Sequence, residues 1–126
     1  MKQNPDTRSV IAGNARRITE LNERMHDAAQ RGDSSPEARA EWSKARAEFD
    51  SQYDALAFPG GYRSGLKKIQ AGDGRAIEDA LTFLEVRPYF FRSQYMRTKL
   101  ARLLKRVTLT ARQAERFQSA MERRQR

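Results

Sequence analysis

Near the start of the chain Ile11, Ile18, Leu21, Met25 and Ala28 follow one another at spacings of seven, three, four and three residues. Only an α-helix gathers such positions on one side, because its 3.6-residue turn brings i, i+3, i+4 and i+7 together, whereas a strand would scatter them over both faces. The seam requires a helix from about Asp6 to Arg31, with Asn14 at its one polar position. It stops at Gly32-Asp33-Ser34-Ser35, a glycine suited to follow a helix and then two candidate N-caps. Ser34 and Glu37 have the spacing of a capping box, and Pro36 falls in a first turn where its missing N–H costs nothing.

A second seam follows in Ala38, Trp42, Ala45, Phe49 and Leu56, with Tyr53 beside the polar position Gln52, and marks a helix from Pro36 to about Ala57. Two helices of similar length across a short loop fold back as an antiparallel hairpin. The pattern sets Ile18, Leu21 and Met25 against Trp42, Ala45 and Phe49. Two helices bury little by themselves, so the hairpin is expected to dock on the rest of the chain, with self-association through it as the other outlet.

Phe58-Pro59-Gly60-Gly61-Tyr62 ends the hairpin with a strong turn signal between aromatics, a packed corner rather than a linker. A short helix over residues 63–71 places Leu66 and Ile69 inward. Gly72-Asp73-Gly74 resets the chain with Asp73 as N-cap, and Ile77, Ala80, Leu81 and Leu84 define a helix from about Arg75 to Val86. Pro88 forces Arg87 out of the helical region and is read as the first residue of another helix reaching Arg106. Thr110 with Gln113 forms a capping box for a last helix, with Ala114, Phe117 and Met121 inward. The fold expected is all-α: an N-terminal hairpin over residues 1–57 packed on three to four shorter helices over 62–126, in one domain. Helix formers supply 72 of the 126 residues, which agrees. Only 22 are Leu, Ile, Val or Phe, a thin supply for a core that 17 Ala and 11 aromatics must supplement.

Several chemistries are excluded by residue type. Without Cys there are no disulfides, thiolate nucleophiles or zinc–cysteine sites. Glu23 and His26 have the Glu-x-x-His spacing of di-iron bundles, but that site needs the motif twice and the chain has one His, so no metal ligand is assigned. Asp50 and Asp54, and Asp73, Glu78 and Asp79, sit amid polar residues or at helix starts, where carboxylates complement the helix dipole. No phosphate-binding glycine loop, nucleophile or base pattern appears, so no catalytic residue or cofactor is assigned and the chain is read as a non-enzyme. Residues 1–6 lack the apolar run of a secretory signal and no stretch is long enough to span a bilayer, which predicts a cytoplasmic protein.

Charge is the informative feature. Residues 1–86 carry 13 Lys+Arg against 14 Asp+Glu, whereas residues 87–126 carry 12 against 2, so the formal +9 belongs to the last 40 residues. Such asymmetry points to an anionic partner. On a helical wheel through 91–107, Leu103, Met96, Val107, Leu100 and Leu104 form a buried arc. Arg92, Lys99, Arg102 and Arg106 line a separate stripe, with Tyr95 and Phe91 between them. Long cations track phosphates and exposed aromatics stack on bases, so Arg92, Lys99, Arg102, Arg106 and Tyr95 are the candidate nucleic-acid-binding residues. The plain alternative packs Phe91 and Tyr95 under the hairpin and leaves the cations solvated. The segment from Arg87 to Arg97 holds four aromatics among three arginines, more than one helix face buries; Phe90 is assigned to a helix junction, and Arg87, Tyr89 and Arg97 to a protein partner. The expected function is a small helical binding module for nucleic acid or, alternatively, an adaptor, inhibitor or immunity-type protein that binds another protein, including an acidic surface, through the 87–97 cluster.

Overall fold

A computed structural model describes residues 6–32 and 34–124; residues 1–5, examined above for a signal segment, and Asp33 of the hairpin turn lie outside it. Six helices run in order: α1 (Thr7–Arg31), α2 (Pro36–Ala57), α3 (Tyr62–Gln70), α4 (Gly74–Val86), α5 (Ser93–Leu104) and α6 (Ala111–Arg124), with no strand among the described residues. None of the helices is long and apolar enough to cross a membrane.

The caps explain most boundaries. Asp6 accepts from Arg8 N at the start of α1, and Gly32, at φ 49°, closes the helix by donating to Ala28 O. Ser35, not Ser34, caps α2: its hydroxyl accepts from Ala38 N, which puts Pro36 at the first helical position. The register of the hairpin is marked by Arg31–Glu41 at 2.8 Å and Arg24–Glu48 at 2.7 Å. That register seats Trp42 beside Ala29 and Gly32 at the turn end of the hairpin, away from Ile18. Arg46 stacks over the Trp42 ring at 5.5 Å. The expected pairing of Trp42 with the Ile18–Leu21–Met25 stretch is thus displaced toward the turn, because the register set by the two helices brings Trp42 level with the last turn of α1.

One contiguous core draws on all six helices: Ile11, Ile18 and Leu21 of α1, Phe49 of α2, Ile69 of α3, Ile77, Leu81 and Phe83 of α4, Met96, Leu100 and Leu104 of α5, and Ala120 of α6. Helix α4 is the central element, buried on most of its circumference. The corner after α2 is packed as expected, with Phe58 fully buried against Phe83 at 6.1 Å. The Thr110–Gln113 capping box is reciprocal, each backbone N–H donating to the other side chain at 3.0 and 3.1 Å. On α6 the inward face is rotated from expectation: Ala114 is exposed and Ala120 is buried, with Gln113, Arg116, Phe117 and Met121 half-buried. Arg116 and Gln113 turn inward because Glu78 and Glu85 of α4 face them.

Pro88 does not begin a helix, and α5 starts only at Ser93 and ends at Leu104, before Arg106. Arg87 ends α4 in the left-handed region at φ 53°, and Arg92 adopts the same region at φ 67°. Each such residue costs about 1–2 kcal/mol. The return is Phe90, 6% exposed, which packs edge-on against Phe83 at 6.2 Å and Tyr53 at 6.3 Å. Burying such a ring contributes about 1.5–3 kcal/mol, and the hydrogen bonds of the segment add to it. A helix propagated from Pro88 would carry Phe90 along its own surface instead.

Candidate functional site

Residues 88–92 form a short irregular segment that is pinned at four points. Phe90 N donates to the Ser93 hydroxyl at 3.1 Å, and Ser93 N donates to Phe90 O at 3.0 Å. The Tyr53 hydroxyl of α2 donates to Phe91 O at 2.6 Å, and Arg97 Nη1 donates to Pro88 O at 3.1 Å. With Pro88 and Phe90 buried, the alternation of the chain throws Tyr89 and Phe91 outward, 89% and 47% exposed. Tyr95, in the first turn of α5, is 65% exposed.

The wheel drawn through 91–107 therefore holds only for 93–104. Within it the buried arc of Met96, Leu100, Leu103 and Leu104 is present, widened by buried Ala101, while Val107 lies beyond the helix and is half-buried. Tyr95, Lys99 and Arg102 recur at i, i+4 and i+7 and so share a face. Lys105 and Arg106 follow in the turn that ends the helix. Arg102, Lys105 and Arg106 are exposed and Lys99 is half-buried. Among the described residues no carboxylate lies within ion-pairing distance of any of the four. The paired arginines of the first half, Arg17, Arg24, Arg31, Arg46 and Arg75, differ in this respect. Arg92 stacks over the Phe91 ring at 5.6 Å.

Arg92 and Tyr95 also border a cleft of about 470 Å³ that the sequence did not reveal. Its other walls come from Phe49, Asp50, Tyr53 and Asp54 of α2 and from Tyr62 and Arg63 of α3. Phe49 and Tyr53 stack at 5.2 Å and 27°, and Phe91 stands edge-on to both at 6.0 and 6.4 Å. The plain alternative for the aromatics is therefore half right: Phe91 rests on the hairpin through Phe49, but one side of it is open. Burial pushes the Tyr53 phenol up to about 12 despite the opposing field of Arg92, so it stays a hydrogen-bond donor to Phe91 O at neutral pH. Burial also raises Tyr62, helped by the nearby Tyr95 phenol. The Tyr62 hydroxyl is closed to solvent and has no hydrogen-bond partner among the described residues. Asp54 is committed to structure, accepting from Arg63 N at 3.0 Å at the start of α3, where Gly61 offers no capping side chain.

The residues assigned to a protein partner separate. Tyr89 borders a second cleft of about 500 Å³ with Pro88, Val86 and the Ala12–Ala15–Thr19 side of α1. Arg87 is exposed at the left-handed end of α4, whereas Arg97 is half-buried and bonded to Pro88 O, a strut of the loop. Glu23 and His26 are exposed on α1, and among the described residues no group of three or more His, Cys, Asp or Glu is placed to hold a metal ion.

What sequence reasoning missed is the contribution of α2 and α3. The one available signal was the pair of aromatics flanking Pro59-Gly60-Gly61, with Tyr53 off the apolar seam. No protein-family model, no curated protein and no solved structure matches the chain.

Proposed function

We propose that the protein is a non-enzymatic helical module that binds nucleic acid through the α5 face and the turn after it. The observation that carries this reading is the run Lys99, Arg102, Lys105 and Arg106, four cations without a carboxylate partner among the described residues, continuous with exposed Tyr95. Part of that charge complements the C-terminal end of the α5 dipole, equivalent to roughly half a unit of negative charge, so four cations leave an uncompensated field for a polyanion. Phosphate contacts of this kind release counterions, so binding to a generic DNA or RNA should follow a log–log salt slope of roughly −3 to −4 from four contacts. Reversing Lys99 and Arg102 to Glu should strongly weaken low-salt binding and lower stability by no more than about 1 kcal/mol, the scale of reversed charges at a helix C-terminus, because neither side chain belongs to the core. Absence of salt-dependent binding at about 50 mM salt, where such contacts are strong, defeats the reading.

A second reading has its own observation. Tyr89 is 89% exposed on a pinned loop beside the cleft over α1, and an exposed aromatic next to arginines is the composition of protein–protein hot spots. Under that reading Tyr89→Ala abolishes partner binding in a pull-down that survives nuclease treatment.

A further inference from the structure

We infer that the cleft between Tyr53, Tyr62, Phe91 and Tyr95 receives one unpaired nucleobase, with its flanking phosphate on Arg92, so that the strand held along α5 is single-stranded. This rests on the nucleic-acid reading above and names its substrate class. The cleft, at about 470 Å³, falls in the range of ligand sites, and its walls come from α2, α3, α5 and the 88–92 segment, with ring-on-ring contacts joining that segment to α2. Phe91 and Tyr95 expose flat apolar surface to water, and base stacking is the contact that covers such surface without regard to sequence.

The charges of the cleft divide in a way that selects a base for the inside and a phosphate for the outside. Asp50 and Asp54 line its α2 wall and offset Arg63 across from them, so the inner walls carry no excess positive charge to draw a phosphate in. Among the described residues Asp50 is held only by Arg46 at 3.8 Å, so its carboxylate remains an acceptor for an exocyclic amino group. Exposed Arg92, fixed over Phe91 at 5.6 Å, supplies the cation for the adjoining phosphate, and Lys99, Arg102 and Arg106 continue along the strand.

The Tyr62 hydroxyl is the second, independent observation. A buried hydroxyl without a partner is an unfavourable arrangement that a native fold retains rarely. Tyr62 lines the cleft beside Tyr95, so a base stacked there would offer its polar edge to the hydroxyl. In a duplex the bases are stacked and paired, and no ring of the cleft reaches them.

The test uses the full chain and single strands of about 12 nucleotides, within the site sizes of single-strand binders, carrying one 2-aminopurine as reporter. The same sequence as a duplex and free adenosine monophosphate are the comparison arms. The expected result is tighter binding of the single strand than of the duplex at equal salt, with a change in reporter fluorescence. Tyr95→Ala should weaken the single strand roughly tenfold and leave the duplex unaffected. Tyr62→Phe should weaken the single strand and abolish any base preference without lowering thermal stability. Equal, steeply salt-dependent binding of both forms, unmoved by Tyr95→Ala, overturns the cleft assignment while the α5 reading stands. Saturable binding of adenosine monophosphate with no gain from the strand assigns the cleft to a free nucleotide and overturns the single-strand assignment. No binding of any form overturns both.

Discussion

At Gly65 a single methyl group has no room. A Cβ built there would lie 2.5 and 2.7 Å from Phe58 ring carbons, and Phe58 is 1% exposed with Phe83 behind it, so the ring has nowhere to go. Glycine to alanine inside a helix ordinarily stabilises by about 0.5–1 kcal/mol. Gly13, in the body of α1, meets nothing closer than 3.8 Å and should behave that way. Gly65→Ala should instead destabilise by about 1–3 kcal/mol, the usual cost of overpacking, and paired thermal melts of the two variants separate the signs. At this scale the sequence was partly legible. Gly32, Asp73, Thr110 and Gln113 announced their roles because a cap is a local bond between near neighbours. Gly65 carried no mark, since the ring that forbids its side chain comes from the preceding corner and is set by tertiary packing. Pro88 marked Arg87 as leaving the helical region, but the left-handed conformation of Arg87 and of Arg92 carried no mark, since it goes with the burial of Phe90 between them.

Between elements, the clearest single attachment is α6 on α4 through Arg116. Its Nε and Nη2 donate to the two oxygens of Glu85 at 3.0 and 2.9 Å, and Nη1 donates to Glu78 at 2.6 Å. Gln113 adds a bond to the other oxygen of Glu78 at 2.8 Å. The Gln113 bond, followed by Arg116, holds Glu78 below the ordinary carboxylate range, and the Arg116 bond does the same for Glu85. Carboxyls lowered in the folded state contribute stability that is complete above their unfolded value, about 4.3 for Glu, and lost as pH falls through the folded value. The thermal midpoint should therefore drop below about pH 4. Arg116→Ala should cost about 2 kcal/mol at neutral pH, the scale of charged hydrogen bonds lost together, and should flatten the acid dependence. A variant whose acid dependence is unchanged would assign that dependence to other groups. The helices themselves were readable from periodicity, a property of adjacent turns. The clamp was not, since its partners lie 31 and 38 residues away and one arginine among 19 looks like any other. The cleft was hidden for the same reason: its aromatics come from α2, α3, α5 and the 88–92 segment, and only Arg92, Tyr95 and Phe91 were visible as a group.

Across the whole molecule stability should be graded along the hairpin. The shared core takes Ile11, Ala15, Ile18 and Leu21 from α1, with Met25 at its edge, and Phe49 and Ala57 from α2. Beyond Met25 the two helices pack on each other alone, with Ala28 and Ala38 the fully buried apolar residues and Trp42 only half-buried. The ion pair that joins them there, Arg31–Glu41, has both side chains about 60% exposed, and such pairs contribute about 0–1 kcal/mol. By contrast α4 is enclosed by its neighbours, and Ile77, Ala80, Leu81 and Phe83 are all at 3% exposure or less. Segments with few buried apolar contacts open locally at a fraction of the global free energy. Native-state hydrogen exchange should then show the amides of residues 28–42 exchanging by local opening, well before those of 76–84 and 96–104. The last two groups should exchange together, because one core holds them. Protection of the hairpin end equal to that of α4 would mean that something covers it in solution. A dependence of that protection on protein concentration would identify the cover as a second copy of the chain, through the exposed surface around Trp42, Ala29 and Gly32. Concentration-independent fast exchange leaves the hairpin end a free arm and leaves α4 and α5 as the rigid base that holds the α5 cations and the aromatic cleft in place.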